Sequence, residues 1–230
     1  MGPQDTVVWV RHATLSPRAR RELRRLVDVA IDIADRAGLA ALTMRVLAAE
    51  AETGTTTLYR YIRSRDELLE LMADAVHEAA DLPDQTSGHW RADLSAIAHA
   101  MRAQYLQHPW LPTLVVTVGP HTLRMANLAA AAALRLSPDP ATAEAVTSTI
   151  HHYVRGAVLG EIAETTSTTN APLTAAQVRS VTSWKRAMLD NPDYAAFAQL
   201  RRTDVTLTHA ERFEFGLERL LDGIERQLDV

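Results

Sequence analysis

Residues 42–69 constrain the fold of this chain more than any other segment, because three helix-start signals follow one another closely there. Thr43 is a favourable N-cap for a helix with inward-facing apolar side chains at helical spacing. After the polar segment 52–54, a second short helix is predicted to begin at Thr55. A third helix is predicted after Ser64, where Ser-Arg-Asp-Glu has the form of a capping box. The pattern therefore predicts two short helices joined by a tight turn, with a third helix that begins at Ser64.

The side chains of this segment favour contact with DNA. Residues 55–57 are three threonines, whose short side chains let the start of the second helix approach the floor of a major groove. Arg45 is predicted to point outward from the first helix, and residues 59–61, Tyr-Arg-Tyr, project toward a phosphate strand. This spacing is typical of a helix-turn-helix. An ordinary three-helix bundle with solvated arginines is the alternative that the residues leave open.

Three motifs carry a resemblance to a known family. T-M-R-x-L-A from Thr43, T-L-Y-R-Y from Thr57 and S-R-D-E-L-L from Ser64 resemble the N-terminal domain of TetR-family transcriptional regulators. The resemblance implies that the second helix enters the major groove, that Arg45 and residues 55–57 read bases, and that other residues hold phosphates. The DNA-binding residues it implies are Thr43, Met44, Arg45, Thr55, Thr56, Thr57, Tyr59, Arg60, Tyr61 and Arg65.

The turn between the two helices departs from the family pattern. The family usually has a glycine followed by a small apolar residue, whereas this chain has Glu52 and Thr53. If the turn needs a positive φ, Glu52 is strained. Either Gly54 takes over the turn geometry, or the recognition helix sits differently in the groove.

Composition limits the remaining classes of protein. Hydrophobic residues make up 47% of the 230 residues, with few aromatics, which favours an all-α globular chain. Without cysteine there is neither a disulfide framework nor a thiolate site, and we expect a cytoplasmic protein with no membrane span. Residues 1–65 hold eleven arginines and seven acidic residues, a net +4, so residues 66–230 carry −8. The basic end is the expected DNA end.

Proline and polar clusters predict the domain organisation. We expect a flexible tail at 1–17, a DNA-binding domain with a connecting helix at 18–82, and a linker at 83–88. A helical domain for effector binding and dimerisation is expected at 89–229. An arginine cluster at the start of the first long helix is either a solvated face or an arm along the DNA backbone. The cluster comprises Arg18, Arg20, Arg21, Arg24 and Arg25.

The second half carries a second resemblance. H-P-W-L from His108, G-P-x-x-L-R from Gly119, Y-V-x-G from Tyr153 and F-E-F-G-L-E-R-L-L-D-G from Phe213 resemble a tetracycline-repressor-like C-terminal domain of the actinobacterial type. The resemblance implies a homodimer whose four-helix bundle is built from the long helix and the last helix of each subunit. The residues it implies, with interface and core both left open, are Val146, Ile150, Tyr153, Val154, Leu217, Leu220 and Ile224.

The same resemblance implies a ligand pocket between the C-terminal helices. Polar or aromatic residues that interrupt apolar helices are candidates for its wall, and together they suit a medium-sized amphipathic effector. These candidates are Tyr105, Trp110, Thr117, His121, Arg124, Asn127, His151, Tyr153 and Trp184.

No pattern in the sequence points to catalysis, a metal site or a cofactor. The nine histidines show no ligand spacing beside a carboxylate, and the sequence has neither a G-x-S-x-G elbow nor a phosphate-binding glycine loop. We therefore do not expect an enzyme. The two resemblances imply a DNA-binding repressor that a small-molecule effector releases from a pseudo-palindromic double-stranded operator. The alternative is a small-molecule-binding helical protein with weak or nonspecific DNA binding.

Overall fold

The computed structural model describes residues 8–114, 119–166, 174–201 and 207–228, and every regular element within these ranges is helical. This confirms the all-α fold class. No helix in the described ranges is both long and apolar enough to cross a membrane. The helices are α1 (Val8–Ala13), α2 (Pro17–Ala37), α3 (Met44–Glu50), α4 (Thr55–Tyr61), α5 (Arg65–Glu78), α6 (Trp90–Gln107), α7 (Pro120–Leu136), α8 (Pro140–Thr166), α9 (Ala175–Leu189), α10 (Ala195–Arg201) and α11 (His209–Gln227).

Local capping sets where the helices of the N-terminal part begin. The side-chain oxygens of Ser16, Thr43 and Ser64 each accept a hydrogen bond from the backbone N–H three residues further on, at 3.3, 3.2 and 3.1 Å. Such caps satisfy donors that the first helical turn leaves unpaired. α2 ends at Gly38, whose φ of 77° suits glycine. The helix starts predicted from the sequence at Thr43 and Ser64 are therefore confirmed.

The segment expected to be a flexible tail contains α1 instead. Val8 is buried against the N-terminal core, and Arg11 forms an ion pair with Glu67 on α5. Both side chains of this pair are largely shielded from solvent, so salt screens it less than it screens a surface pair. Residues 8–13 are ordered by these contacts with distant parts of the chain, which the local sequence does not reveal.

The C-terminal part is a helical bundle. α6, α7 and α8 pack against one another, α11 packs on α8, and α7 also contacts α5 of the N-terminal part. A short 3₁₀ turn at Leu111–Thr113 follows α6.

α8 and α11 approach closely at one point. The hydroxyl of Tyr153 donates a hydrogen bond to the carbonyl of Phe213 at 2.6 Å, and the two rings lie 5.5 Å apart. Gly216 lies beside the Tyr153 ring, and a Cβ atom there would lie 2.7 Å from Cζ and 2.8 Å from Cε2. This helix contact therefore depends on the missing side chain at Gly216.

Burial separates the two roles left open for the residues of α8 and α11. Val146, Ile150, Val154 and Leu217 are at most 6% exposed within the single chain. They belong to the core of the protomer, because side chains already covered by their own chain have no apolar area left to bury against a partner. Tyr153, Leu220 and Ile224 are only partly buried.

α9 and α10 extend a largely exposed apolar surface. Every side chain of α9 is at least partly exposed. The large apolar side chains exposed on the two helices are Val178, Val181, Trp184, Phe197 and Leu200. Several large exposed apolar side chains on two helices in contact mark an interaction site more often than isolated exposed residues do.

Two carboxylates join the N-terminal and C-terminal parts. Asp35 on α2 accepts hydrogen bonds from Nε1 of Trp110 at 2.6 Å and pairs with Nδ1 of His108 at 2.9 Å. Asp74 on α5 is 4% exposed and accepts hydrogen bonds from the backbone N–H groups of His121 and Thr122, at 2.8 and 3.0 Å. A carboxylate at the N-terminus of α7 interacts favourably with the helix dipole. These bonds link the domain that contains α3 and α4 to the helical bundle.

Candidate nucleic-acid interface and effector cavity

The turn between α3 and α4 has its left-handed residue at Glu52. Its φ is 49°, the one positive value at a non-glycine residue in the part of the chain that the structure describes. Gly54, in contrast, has an extended backbone with φ of −73° and ψ of 143° and is the N-cap of α4. Glu52 therefore carries the strained conformation that the sequence suggested, and Gly54 does not take it over. α3 and α4 keep their predicted starts nonetheless.

Replacing Glu52 by glycine is expected to stabilise the fold by about 1 kcal/mol. The left-handed conformation costs an ordinary L-residue roughly 1–2 kcal/mol, and the greater freedom of glycine in the unfolded chain offsets about 0.4–1 kcal/mol of that gain. Urea unfolding of both proteins measures the difference. Thr53→Gly is the control, since Thr53 has no positive φ, and it should lower stability. A Glu52→Gly protein that unfolds at lower urea concentration would contradict the strain.

α4 has an exposed polar face, and its apolar face packs against the rest of the N-terminal part. Leu58 and Ile62 are fully buried, whereas Thr55 and Thr56 are exposed and Tyr59 is 49% exposed. The buried pair lies one helical turn apart, which fixes the rotation of the helix about its axis. The start of α4 is therefore held to the domain with its hydroxyl side chains facing outward.

Arg45 and the start of α4 form a set of unengaged polar groups. Within the described part of the chain, Arg45 and the three threonine hydroxyls of α4 make no side-chain hydrogen bond or ion pair. Arg45 is exposed on the first turn of α3, and Thr57 is partly buried. Most other arginines of this domain are engaged, so these groups are available to a ligand outside the chain.

Other residues predicted to bind DNA are more constrained. Met44 packs against the core, so its side chain is only partly exposed. Arg60 donates a hydrogen bond to the Tyr61 hydroxyl at 3.0 Å and lies 5.0 Å from the centre of that ring. Arg65 donates to the carbonyl of Leu39 at 2.9 Å. These contacts suit side chains that orient a phosphate from the edge of the interface.

The arginine cluster of α2 divides into two groups. Arg20, Arg24 and Arg25 are used within the chain; Arg25, for example, donates to the Ala51 carbonyl at 3.0 Å and so caps the end of α3. Arg18 and Arg21 are exposed on the same helix. The solvated-face interpretation is therefore inadequate for three of the five arginines, which form contacts within the fold.

A cavity of about 500 Å³ lies between α6, α7 and α8. α6 contributes Leu94, Ile97, Met101 and Tyr105, spaced at helical intervals so that they form one stripe. α7 and the 3₁₀ turn add mainly apolar side chains, and α8 supplies most of the polar ones. This size and mixture are typical of a site for a small organic molecule. Within the described ranges, no three histidine or acidic side chains converge in a way that could hold a metal ion.

The structure brings only part of the predicted ligand set to this cavity. Tyr105 and His151 line it, and Thr117 lies outside the described residues. The other six do not line the cavity. Two of them contact another domain or a loop, one packs α8 on α11, and the remaining three lie elsewhere. Those six are Trp110, His121, Arg124, Asn127, Tyr153 and Trp184.

Contacts explain why these side chains do not line the cavity. Trp110 donates to Asp35, and Arg124 pairs with Asp84 at 2.9 Å and donates to the nearby Pro83 carbonyl. Trp184 is 62% exposed on α9. Polarity within an apolar helix marks a residue that needs a partner, but the sequence does not say whether that partner is a ligand or another part of the protein.

Sequence reasoning missed several residues of the cavity wall, among them His77, Thr122 and Arg155. Arg155 lies four residues after His151, one turn along the same helix face, a spacing that could have revealed it. His77 comes from α5, the helix that leads out of the N-terminal part. Its Nδ1–H donates to Oε1 of Gln104 at 3.1 Å, and burial lowers its pKa. It is therefore neutral at pH 7 and connects the cavity to α5.

Both halves of the chain match families of known regulators. Residues 26–72 match the bacterial regulatory proteins of the tetR family, and residues 82–228 match the tetracyclin repressor-like C-terminal domain. The chain belongs to the TetR family. This is a family of DNA-binding transcriptional regulators, not of enzymes. Its helix-turn-helix is formed by α3 and α4, and the cavity lies in the C-terminal domain.

Similar proteins agree with the TetR assignment. The HTH-type transcriptional repressor DrrR1 of Streptomyces coeruleorubidus is 34% identical, over 94% of this chain and 81% of its own length. The class E tetracycline repressor of Escherichia coli is 28% identical, over 92% of this chain and 94% of its own. The crystal structure of Streptomyces coelicolor ActR with (S)-DNPA has a TM-score of 0.67 at 25% identity, covering 90% of this chain and 98% of ActR.

Proposed function

We propose that this TetR-family protein is a homodimeric repressor that a small-molecule effector releases from a pseudo-palindromic operator. The observation that carries the proposal is the exposure of Arg45 on α3 and of Thr55, Thr56 and Tyr59 on α4, whose polar groups have no partner within the described chain. Residues 18–82 would bind the operator, and residues 89–229 would bind the effector and the second subunit. The repressor DrrR1, similar over most of its length, supports this direction of control.

The roles at the operator follow from side-chain chemistry. Arg45 suits bidentate recognition of guanine, and the threonines at the start of α4 suit close approach to base edges. Thr43, Tyr59, Tyr61 and Arg65 would hold phosphates. A bacterial operator lies in the cytoplasm, so the proposed function requires the protein to act there.

A second copy of the chain would cover apolar surface that one copy leaves exposed. Phe215 on α11 is 61% exposed, and Leu220 and Ile224 on the same helix are only partly buried. Together with the exposed side chains of α9 and α10, they support a homodimer built by the C-terminal domain. Two-fold symmetry would present two α4 helices to half-sites about one turn of DNA apart, roughly 34–36 Å.

The effector would act through the joints between the two domains. The cavity touches α5 through His77, and Asp74 fixes α5 to the start of α7. A ligand that favours an arrangement in which the two α4 helices no longer fit the operator needs a preference of about 1–3 kcal/mol. Such a preference would weaken operator binding about 5- to 150-fold.

Selection of DNA by the purified protein tests this proposal. The protein is incubated with a randomised double-stranded library at physiological salt, retained fragments are sequenced, and the oligomeric state of protein and complex is measured by analytical ultracentrifugation. We expect a pseudo-palindrome bound by a dimer. Diffuse, salt-sensitive retention without a shared sequence would favour the alternative, a small-molecule-binding protein with nonspecific DNA binding.

A further inference from the structure

Arg155 differs from the other partly buried arginines of the described chain. Arg91, for example, pairs with Asp222 at 2.6 Å, and Arg102 pairs with Glu161 at 2.7 Å. Arg11 and Arg124 also have carboxylate partners. Arg155 lies in the cavity wall and, within the described residues, has no carboxylate within 4.0 Å and no side-chain hydrogen bond. A partly buried guanidinium without a carboxylate partner in the chain is available to pair with an anion bound in the cavity.

Tyr105 provides a second unpartnered donor in the same cavity. Its side chain is 5% exposed and lines the cavity, and within the described residues its hydroxyl makes no hydrogen bond. The hydroxyl is therefore available to a molecule bound in the cavity. Burial raises the pKa of Tyr105, and the nearby Arg155 opposes that rise, so the hydroxyl remains protonated and able to donate at neutral pH.

One wall of the cavity is apolar, and the other wall is polar and carries charges of opposite sign at its two ends. Leu94, Ile97 and Met101 of α6 form the apolar side, whereas the polar residues of α8 run from Glu144 to Arg155. Eleven residues separate these two charges, which corresponds to about 16 Å along a helix. Glu144 is exposed and Arg155 is partly buried, so the positive charge lies deeper.

At the Arg155 end of the cavity, the positive charge comes from Arg155 and not from His77 or His151. Burial lowers the pKa of His151, and the neighbouring His152, Arg155 and His77 lower it further. Burial also lowers the pKa of His77. At neutral pH both rings are therefore uncharged and serve as hydrogen-bond partners.

We propose that the cavity binds an amphipathic organic anion, whose acidic group lies between the guanidinium of Arg155 and the hydroxyl of Tyr105 and whose apolar body packs on α6. A carboxylate, a sulfonate or an ionised phenol would all satisfy these two donors. This assignment rests on the proposed effector function and specifies the class of effector.

Two fluorescent probes with the same aromatic skeleton test the assignment. Anilinonaphthalene sulfonate is an anion, and N-phenylnaphthylamine lacks the sulfonate. Their dissociation constants are measured by fluorescence titration of the full-length protein, of Arg155→Gln and of Tyr105→Phe. Arg135→Gln is the matched control, since Arg135 is exposed on α7 and away from the cavity lining. Ala129→Leu, which adds volume to the cavity wall, checks that the probes bind there.

We expect Arg155→Gln to weaken binding of the sulfonate about tenfold or more, because a hydrogen bond to a charged group is lost, while the neutral probe changes less than about twofold. Tyr105→Phe should give a smaller loss for the sulfonate alone. Arg135→Gln should change neither constant, and Ala129→Leu should weaken both probes. Circular dichroism of each variant verifies that it is folded.

Three results would overturn the assignment. The first is an equal change for both probes in Arg155→Gln, and the second is probe binding that Ala129→Leu does not affect. The third is an Arg155→Gln protein that no longer forms the oligomer that the wild-type protein forms. This result would show that Arg155 pairs with a second copy of the chain. Operator selection with the wild-type protein is independent of these results, so the proposed function can stand when this assignment fails.

Discussion

Gly216→Ala is expected to destabilise the protein by about 1–3 kcal/mol, although alanine is normally the better helix former. The new Cβ atom would lie 2.7 Å from Cζ of Tyr153, so α8 and α11 would have to move apart. That movement would also stretch the bond from the Tyr153 hydroxyl to the Phe213 carbonyl. The change is measured by urea unfolding at several protein concentrations, which separates folding from association.

Gly223→Ala on the same helix is the matched control for Gly216→Ala. Nothing lies within 4 Å of a Cβ atom at Gly223, so propensity alone should act and stabilise the chain by about 0.5–1 kcal/mol. The two substitutions thus have opposite expected signs. Equal stabilisation by both would mean that α8 and α11 do not approach each other as closely as the structure shows.

Arg45→Ala is expected to cost about 1–3 kcal/mol of discrimination at a single operator position. The reason is that Arg45 is exposed on the first turn of α3, and its donors have no partner within the described chain. Dissociation constants for the selected operator and for variants changed at one base pair at a time, measured at fixed salt, would locate the position. Unchanged sequence preference in Arg45→Ala would remove Arg45 from base reading.

Arg65→Ala provides the contrasting result at the same interface. Its guanidinium donates to the Leu39 carbonyl at the edge of the domain, which suits a phosphate contact. Loss of this contact should weaken all operator variants alike and reduce the slope of log K against log salt by about 1. A position-dependent loss in Arg65→Ala would reverse the assignment of the two arginines.

The helix-turn-helix was predictable because its signals are local. Ser16, Thr43 and Ser64 cap helices through bonds to backbone groups three residues away, so neighbouring residues suffice to specify them. The unusual residue of the turn, Glu52, was also visible, and it does adopt the left-handed conformation. The motifs near these residues were enough to indicate the TetR family.

The cavity was much less predictable, because its wall is assembled from helices far apart in the sequence. His77 and Arg155 both line it, although they lie on α5 and α8. Trp110 and Tyr153 also carry polar groups within apolar segments, yet each forms its hydrogen bond with another part of the protein. Only the packed arrangement distinguishes a polar group that faces a cavity from one that another helix satisfies.

The amino-acid sequence alone determined the all-α class, the starts of the DNA-binding helices and the family, since capping and helical periodicity act over a few residues. The tertiary structure decided that Val154 and Leu217 belong to the protomer core, that residues 8–13 form a helix, and that Arg155 lacks a counter-charge. Burial and pairing depend on what packs against a side chain, and a helical pattern shows only that one face needs to be covered.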